Sequence, residues 1–153
     1  MNKEDKRIST NLKEVDRVLG GGLLQGSFIL LGGSPGVGKS TLALHICSDI
    51  EQMCLYISAE ESDQQVAIRA KRIGIKSDNL HLSGENDLND IIANINYLKP
   101  QLVIIDSIQT LQSNHIESGA GSVSQIRTTA TELIQYAKIA NVPVILVGHI
   151  TKD

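Results

Sequence analysis

The sequence predicts an α/β domain in which a mostly parallel sheet carries helices on both faces. Short apolar segments alternate along the chain with segments of helical periodicity, the pattern of strands joined by crossover helices. A glycine-rich turn separates the first clear strand from the helical segment after it. The length of 153 residues, 41% of them hydrophobic, suits one domain with a sizeable core. We expect that domain to span residues 7–153, after a frayed, charged terminus at 1–6.

The elements follow in order from local composition. A short helix is predicted at 12–19, where Gly20, Gly21 and Gly22 permit the positive φ at which a helix stops. Five apolar segments are predicted as the strands of the sheet: residues 27–31, 54–58, 80–82, 102–106 and 143–147.

Two later helices are predicted from their apolar stripes. In "DLNDIIANINYLK" the stripe consists of Leu88, Ile91, Ile92, Ile95 and Leu98. In "SVSQIRTTATELIQYAKIA", Ser122 and Gln125 have the spacing of a capping box. The buried face of that helix is predicted to contain Val123, Ile126, Ala130, Leu133, Ile134 and Ala137. Residues 109–121 show little periodicity and are predicted to form a mobile loop.

Charge and composition exclude several classes of protein. A net charge of −3 excludes the strongly basic surface of an autonomous nucleic-acid binder, and one Phe, three Tyr and no Trp give little surface for stacking bases. Cys47 and Cys54 lack metal-ligand spacing, so we expect neither a disulfide framework nor a zinc site. With no apolar run of membrane-spanning length and no signal peptide, the sequence favours a soluble protein of the reducing cytoplasm.

The segment "GSPGVGKS" predicts a phosphate-binding loop. It fits G-x-x-x-x-G-K-[ST] at every fixed position, and it lies between an apolar strand and a helix, the context this motif requires. The predicted ATP-binding residues are Gly33, Ser34, Pro35, Gly36, Val37, Gly38, Lys39, Ser40 and Thr41. Backbone N–H groups of the loop and the positive end of the helix dipole would face the phosphates. Lys39 would reach the β and γ phosphates, and the Ser40 hydroxyl would bind Mg²⁺.

Carboxylates follow two other buried strands. Asp106 ends "QLVIID" at the strand edge where ligands bind in open α/β sheets, so it is predicted to hold Mg²⁺ together with Ser40. Glu60 and Glu61 follow "CLYIS", and Glu60 is preferred as the general base because it comes straight off the strand. The alternative is that both glutamates only provide favourable charge at a helix N-terminus.

Gly148 and His149 follow the last predicted strand at this same edge. A histidine here can donate a hydrogen bond toward the γ phosphate, although a structural role is equally open.

The chain resembles the bacterial RadA (Sms) family of DNA repair proteins, which are RecA-like ATPases. The resemblance rests on "RISTNLKEVDRVLGGGLLQGSFILLGGSPGVGKST", "LYISAEES", "LVIIDSIQTL", "GSVSQIR" and "VGHITKD", and it covers residues 7–153. It implies a RecA-like P-loop core, ATP hydrolysis coupled to single-stranded or branched DNA, and a hexameric ring of identical subunits. It also suggests a recombinase as a partner.

The resemblance assigns roles residue by residue. It supports Glu60 as the catalytic glutamate, Asp106 as the magnesium aspartate and His149 in the γ-phosphate sensor region. Its DNA-facing loop precedes "GSVSQIR", so the residues predicted to contact DNA are Ser122, Ser124, Gln125 and Arg127. Helix capping explains Ser122 and Gln125 without DNA, and this alternative stays open.

The chain also departs from the family pattern. It lacks the N-terminal four-cysteine zinc module, the downstream Lys-Asn-Arg-Phe-Gly motif and the Lon-protease-like domain. That motif is thought to act on the ATP of a neighbouring subunit, so we expect this polypeptide alone to bind Mg-ATP but hydrolyse it slowly. Two alternatives remain: a nucleotide-binding remnant with little hydrolysis, and a RecA-like ATPase whose partner is a protein.

Overall fold

The computed structural model describes residues 7–10, 12–33, 38–48, 50, 53–58, 61–75, 78–107, 109 and 122–149. The predictions for residues 1–6, for 110–121 and for 150–153 lie outside this part of the chain. The elements are, in order, β1 (Arg7–Ile8), α1 (Lys13–Val18), β2 (Leu23–Leu24), β3 (Phe28–Gly33), α2 (Lys39–Ser48), β4 (Cys54–Ser58), α3 (Asp63–Arg72), β5 (Leu80–Ser83), α4 (Leu88–Leu98), β6 (Leu102–Asp106), α5 (Val123–Ala140) and β7 (Val144–His149).

Across the described residues, the main sheet has five strands in the order β3-β7-β6-β4-β5, all parallel to their neighbours. The register pairs Ser58 of β4 with Asp106 of β6, and Asp106 with Val147 of β7. Parallel strands need crossover connections, which the intervening helices provide. The predicted α/β class with a parallel sheet is confirmed.

Hydrophobic cores lie on both faces of this sheet. Because side chains alternate along a strand, Ile104 of β6 joins the core under α2 and α3, while Ile105 joins the core under α4 and α5. The strands β4 and β7 alternate in the same way. Side chains two residues apart on a strand lie on the same face of the sheet. Tyr56 belongs to the core under α2, and Asp106 comes two residues after Ile104 of that core, so both lie on the face that α2 covers.

The strands reach further toward their carboxyl ends than the sequence predicted. β3 continues to Gly33 and β7 to His149, and the pairs Gly32–Gly148 and Gly33–His149 extend the parallel ladder. The prediction ended both strands early because glycine has a low strand propensity. In a parallel pair the backbone N–H and C=O groups form the ladder, so glycine can continue it.

The N-terminal segment packs as a small unit that the sequence predicted only in part. The short helix is confirmed as α1, but the antiparallel pair of β1 and β2 was missed. Gly22 has φ +135°, and a Cβ there would lie 2.5 Å from the carbonyl oxygen of Ile8. Only glycine allows β1 to approach this closely.

Asp16 of α1 holds the chain between β1 and α1. Its Oδ1 accepts hydrogen bonds from the backbone N–H (2.9 Å) and hydroxyl (2.7 Å) of buried Thr10, and its Oδ2 accepts one from the Ser9 hydroxyl (2.7 Å). Burial raises the pKa of Asp16, but the donors on Ser9 and Thr10 outweigh it and the net pKa is lowered. This stabilisation is therefore present above the ordinary pKa of 3.8 and is lost as the pH falls through the folded-state pKa.

Replacing Asp16 by alanine is expected to destabilise the fold by about 1 kcal/mol, because it removes the acceptor for three donors, two of them on buried Thr10. Urea denaturation at neutral pH measures the change. Glu14→Ala is the matched control: Glu14 is in the same helix, and its side chain is 82% exposed and pairs with Arg17. An equal loss in both variants would contradict this role for Asp16.

The helix α5 buries most of the predicted face, but its fully buried row lies along one side of that face. Leu133 and Ala137 are buried as expected, but the buried row continues through Thr129 and Gln125, and Val123 is 72% exposed. Thr129 tolerates burial because its hydroxyl donates to the carbonyl of Gln125 at 2.7 Å. Ile126 and Ala130 are partly buried against the same core, so apolar periodicity found most of the stripe and missed its two polar members.

Cys47 of α2 and Cys54 of β4 form a disulfide, with their Cα atoms 5.6 Å apart. The expectation that no disulfide forms is therefore wrong for this structure. Spacing in sequence did not reveal the pair, because it is the packing of α2 beside β4 that brings the two buried residues together. In the part of the chain that the structure describes, no helix is long and apolar enough to cross a membrane.

Candidate nucleotide site

Several predicted site residues that the structure describes lie at the carboxyl edge of the parallel sheet. Gly33 ends β3 next to His149 of β7, and Asp106 ends β6 next to Ser58 of β4. The strand β7 separates β3 from β6, so the start of the phosphate loop and Asp106 lie two strands apart. This edge is where ligands bind in open α/β sheets.

The helix α2 begins where a phosphate-binding loop requires a helix N-terminus. Gly38 has φ +84°, and its carbonyl accepts the N–H of Leu42 at 2.9 Å, the first hydrogen bond of the helix. Lys39, the first helical residue, is only 7% exposed. The predicted contacts of Ser34, Pro35, Gly36 and Val37 lie outside the described residues, and Thr41 follows in the first turn of α2. The N-terminus of α2 thus places a cation and the positive end of the helix dipole at this edge.

Ser40 and Asp106 are in direct contact. The Ser40 hydroxyl donates to Asp106 Oδ2 at 2.6 Å, across 66 residues of sequence. A hydroxyl and a carboxylate are oxygen donors of the kind that Mg²⁺ takes, together with phosphate oxygens and water. Among the described residues, no group of three or more His, Cys, Asp or Glu side chains could hold a metal by itself. The two residues therefore fit an ion shared with a bound phosphate better than a closed protein site.

Glu61 is held by an ion pair that the sequence did not reveal. Arg69 of α3 donates from Nη1 to Glu61 Oε1 at 2.5 Å, and the two side chains are 27% and 33% exposed. The next residue, Ser62, begins α3 with a full capping box, in which Ser62 and Gln65 bond each other's backbone N–H groups. Glu61 is thus fixed at the start of α3, and the predicted base Glu60 lies outside the described residues.

Tyr56 is the site residue that sequence reasoning missed. It is fully buried in β4, and its hydroxyl donates to Asp106 Oδ2 at 2.9 Å. A tyrosine inside an apolar strand resembles an ordinary core residue, and only the pairing of β4 with β6 reveals its partner. Burial first, and then the charge and hydrogen bond of Asp106, raise the pKa of Tyr56 far above its ordinary value of 10.0, although Arg69 and Ser40 act in the opposite direction.

This raised pKa predicts how stability changes at alkaline pH. The unfolded chain loses the Tyr56 proton near pH 10 while the folded chain keeps it, so this contribution is complete below pH 10 and decreases above it by about 1.4 kcal/mol per pH unit. Urea denaturation of wild type and Tyr56→Phe at pH 9, 10 and 11 isolates the effect, because both proteins share every lysine. We expect a shallower decline in the variant. Equal slopes would contradict the assigned shift.

The other predicted residues are His149 at the end of β7 and the group at the start of α5, and the structure supports their roles to different degrees. The backbone of His149 lies beside Gly33, as a γ-phosphate sensor would require, and the side chain is not described. Around the start of α5, Ser124 and Arg127 are exposed, and Ser122 caps the helix by accepting the N–H of Gln125 at 3.2 Å. Gln125 is 2% exposed, which argues against its contact with DNA in this conformation. The capping alternative for Ser122 is therefore confirmed, and DNA contact by Ser122, Ser124 and Arg127 stays a prediction.

Comparison with known proteins supports the motif resemblance. The family model described as AAA domain matches residues 2–153. The DNA repair protein RadA of Escherichia coli (strain K12) is 48% identical over 153 residues, 99% of this chain and 33% of that protein. The DNA repair proteins RadA of Bacillus subtilis (strain 168) and Listeria monocytogenes are each 44% identical, over 98% and 97% of this chain and 33% of each protein. The chain spans about a third of the length of these relatives, and the resemblance to bacterial RadA proteins is confirmed.

Proposed function

The chain belongs to the AAA domain family, and we propose that it binds ATP with Mg²⁺ at the carboxyl edge of its sheet and hydrolyses the nucleotide in DNA repair. The observation that carries this proposal is the contact of Ser40 with Asp106 beside Lys39 at the start of α2. It joins two sequence motifs, 66 residues apart, into the arrangement that Mg-nucleotide chemistry requires.

Each residue has a distinct part in nucleotide binding. Lys39 would neutralise charge on the β and γ phosphates, and its small exposure means that little water would compete with that contact. Ser40 and Asp106 would hold Mg²⁺, which supplies neutralisation of the charge that develops on the phosphate oxygens. Ser40 donates its hydroxyl proton to Asp106, which keeps the Ser40 oxygen lone pairs available.

Hydrolysis needs a group that orients or deprotonates water, and we assign this role to Glu60. Glu61 is the weaker candidate, because its carboxylate already accepts a hydrogen bond from Arg69 and is held at the start of α3. His149 would report the γ phosphate from the end of β7, next to Gly33.

The DNA part of the proposal rests on the RadA relatives, whose printed names describe DNA repair proteins. By their likeness, single-stranded or branched DNA is the proposed polynucleotide, a hexameric ring the proposed assembly, a recombinase a further partner and the cytoplasm the compartment. Ser124 and Arg127 support a local contact because both are exposed at the start of α5. The net charge of −3 favours DNA contact made by several subunits together over binding by one.

ATP turnover measured with and without single-stranded DNA, alongside gel filtration of the same mixtures, tests this proposal. We expect Mg-dependent turnover that DNA increases, and elution of a larger species with ATP and DNA. Binding of ATP with no turnover under any condition would favour the nucleotide-binding remnant. ATP turnover that is the same with and without DNA would favour an ATPase with a protein partner.

A control variant separates DNA contact from folding. Arg127→Ala is expected to reduce DNA stimulation while leaving turnover without DNA unchanged, because Arg127 is exposed and its helix packs on the sheet face opposite to α2. Arg72→Ala on α3 removes an exposed cation elsewhere and should preserve the stimulation. Equal stimulation of both variants would remove Arg127 from the proposed DNA contact.

A further inference from the structure

Tyr56 occupies a position where a buried hydroxyl meets the carboxylate of the proposed magnesium site. It is paired in register with Ile104, two residues before Asp106, so its side chain lies on the same face as that carboxylate. The hydroxyl lies 2.9 Å from Asp106 Oδ2, the oxygen that also accepts the Ser40 hydroxyl at 2.6 Å. A buried hydroxyl needs a partner, and Asp106 provides it.

The direction of each hydrogen bond in this group is fixed by chemistry. Arg69 can only donate, so its contact from Nη2 at 3.5 Å makes the Tyr56 oxygen the acceptor. The single proton of Tyr56 is then free to point at Asp106, which as a carboxylate can only accept. Donation therefore runs in one direction, from Arg69 through Tyr56 to Asp106.

From this arrangement we infer that Tyr56 is a positioning residue for Asp106, and that Arg69 fixes the direction in which the Tyr56 hydroxyl donates. Two donors converge on Oδ2 and restrict rotation of the carboxylate, which leaves Oδ1 as the acceptor for other groups. The inference rests on the proposed function, because it concerns the orientation of the carboxylate toward Mg²⁺. Hydrogen-bond partners of metal ligands commonly tune metal affinity in this way.

The placement of Arg69 is a second, independent observation. Its Nε is buried and has no hydrogen-bond partner among the described residues, while its Nη atoms bond Glu61 and Tyr56. A buried donor without a partner costs stability, and such groups in folded proteins call for an explanation. An exposed Arg–Glu pair would stabilise α3 without that cost. The placement of this Nε is explained if Arg69 is held there to contact Tyr56.

The test is a Mg²⁺ titration of the binding of a fluorescent ADP analogue. For Tyr56→Phe we expect the affinity for the ADP analogue in EDTA to stay within about twofold of wild type. The Mg²⁺ concentration that gives half of the maximal increase in this affinity should rise about tenfold. Tyr97→Phe is the matched control, because Tyr97 is 86% exposed on α4 and should leave the Mg²⁺ response unchanged. Circular dichroism establishes that each variant is folded.

Variants of Arg69 test the same inference without changing the packing of β4. Arg69→Lys keeps a side chain that only donates hydrogen bonds and should retain most of the Mg²⁺ response. Arg69→Met removes the donor and should raise the Mg²⁺ concentration at half of the maximal effect, as Tyr56→Phe does. A merely structural role for Arg69 would lower stability in both variants and leave the Mg²⁺ dependence of each as in wild type.

The outcomes distinguish this inference from the function on which it rests. If Tyr56→Phe and Arg69→Met both show the Mg²⁺ response of wild type, the inference is wrong and the proposed function is unaffected. Wild-type binding of ADP without any Mg²⁺ response would overturn the proposed function, and the inference with it.

Discussion

Lys39→Ala is expected to weaken Mg-ATP binding by at least about thirtyfold, the largest effect on nucleotide binding of any single substitution in this site. Removing one partner of a desolvated charge contact costs about 2–5 kcal/mol, and the lower bound corresponds to that factor. Lys39 meets the condition of desolvation because it is 7% exposed at the start of α2. Equilibrium titration with a fluorescent ATP analogue in saturating Mg²⁺ measures the change.

Lys138→Ala is the matched control for the loss of a positive charge. Lys138 is exposed in the last turn of α5, away from the carboxyl edge of the sheet, and its removal should leave binding within about twofold. If Lys39→Ala binds as tightly as Lys138→Ala, the phosphates do not bind at the N-terminus of α2, and the assignment of the loop is wrong.

The second large effect is expected at Glu60. Glu60→Gln should lower ATP turnover by about a hundredfold or more while leaving Mg-ATP affinity within about threefold, because a general base contributes to the reaction and little to binding. Glu61→Gln should lower turnover by less than about tenfold, because the structure pairs that carboxylate with Arg69. Single-turnover kinetics on both variants separates chemistry from binding.

Glu60→Gln and Glu61→Gln make the same chemical change at neighbouring positions, so each variant is the control for the other. A larger loss of turnover in Glu61→Gln would transfer the role of base to Glu61 and make the ion pair with Arg69 part of its activation. Normal turnover in Glu60→Gln with intact ATP binding would remove Glu60 from the mechanism.

The order and type of the main elements could be predicted because each has a local cause. The strand of Cys54–Ser58 is apolar at both faces, as expected for a strand buried in a parallel sheet, and α4 shows a helical stripe ending before Pro100. The pair of β1 with β2 could not be predicted, because two-residue strands carry no period and depend on the close approach at Gly22.

Half of the site could be predicted and half could not, for a physical reason. Lys39 and Asp106 follow from motifs in which neighbouring residues set the local geometry, and the structure brings Asp106 to Ser40 as expected. Tyr56 and Arg69 act through contacts between elements, which depend on the register of β4 with β6 and on the angle of α3. A sequence pattern records neither quantity.

The buried face of α5 and the cysteine pair illustrate the same limit. Gln125 is polar and was expected outside, yet it is buried because the row it shares with Leu133 faces the sheet. Cys47 and Cys54 carry no motif, and their disulfide follows from the packing of α2 beside β4.

Titration of the wild-type chain with ATP by calorimetry, once in Mg²⁺ and once in EDTA, tests the central claim most directly. A phosphate site completed by Ser40 and Asp106 predicts one ATP bound per chain, with clearly weaker binding in EDTA. Failure to bind ATP in Mg²⁺, or equal affinity in both buffers, would contradict a Mg-nucleotide site at the carboxyl edge of this sheet.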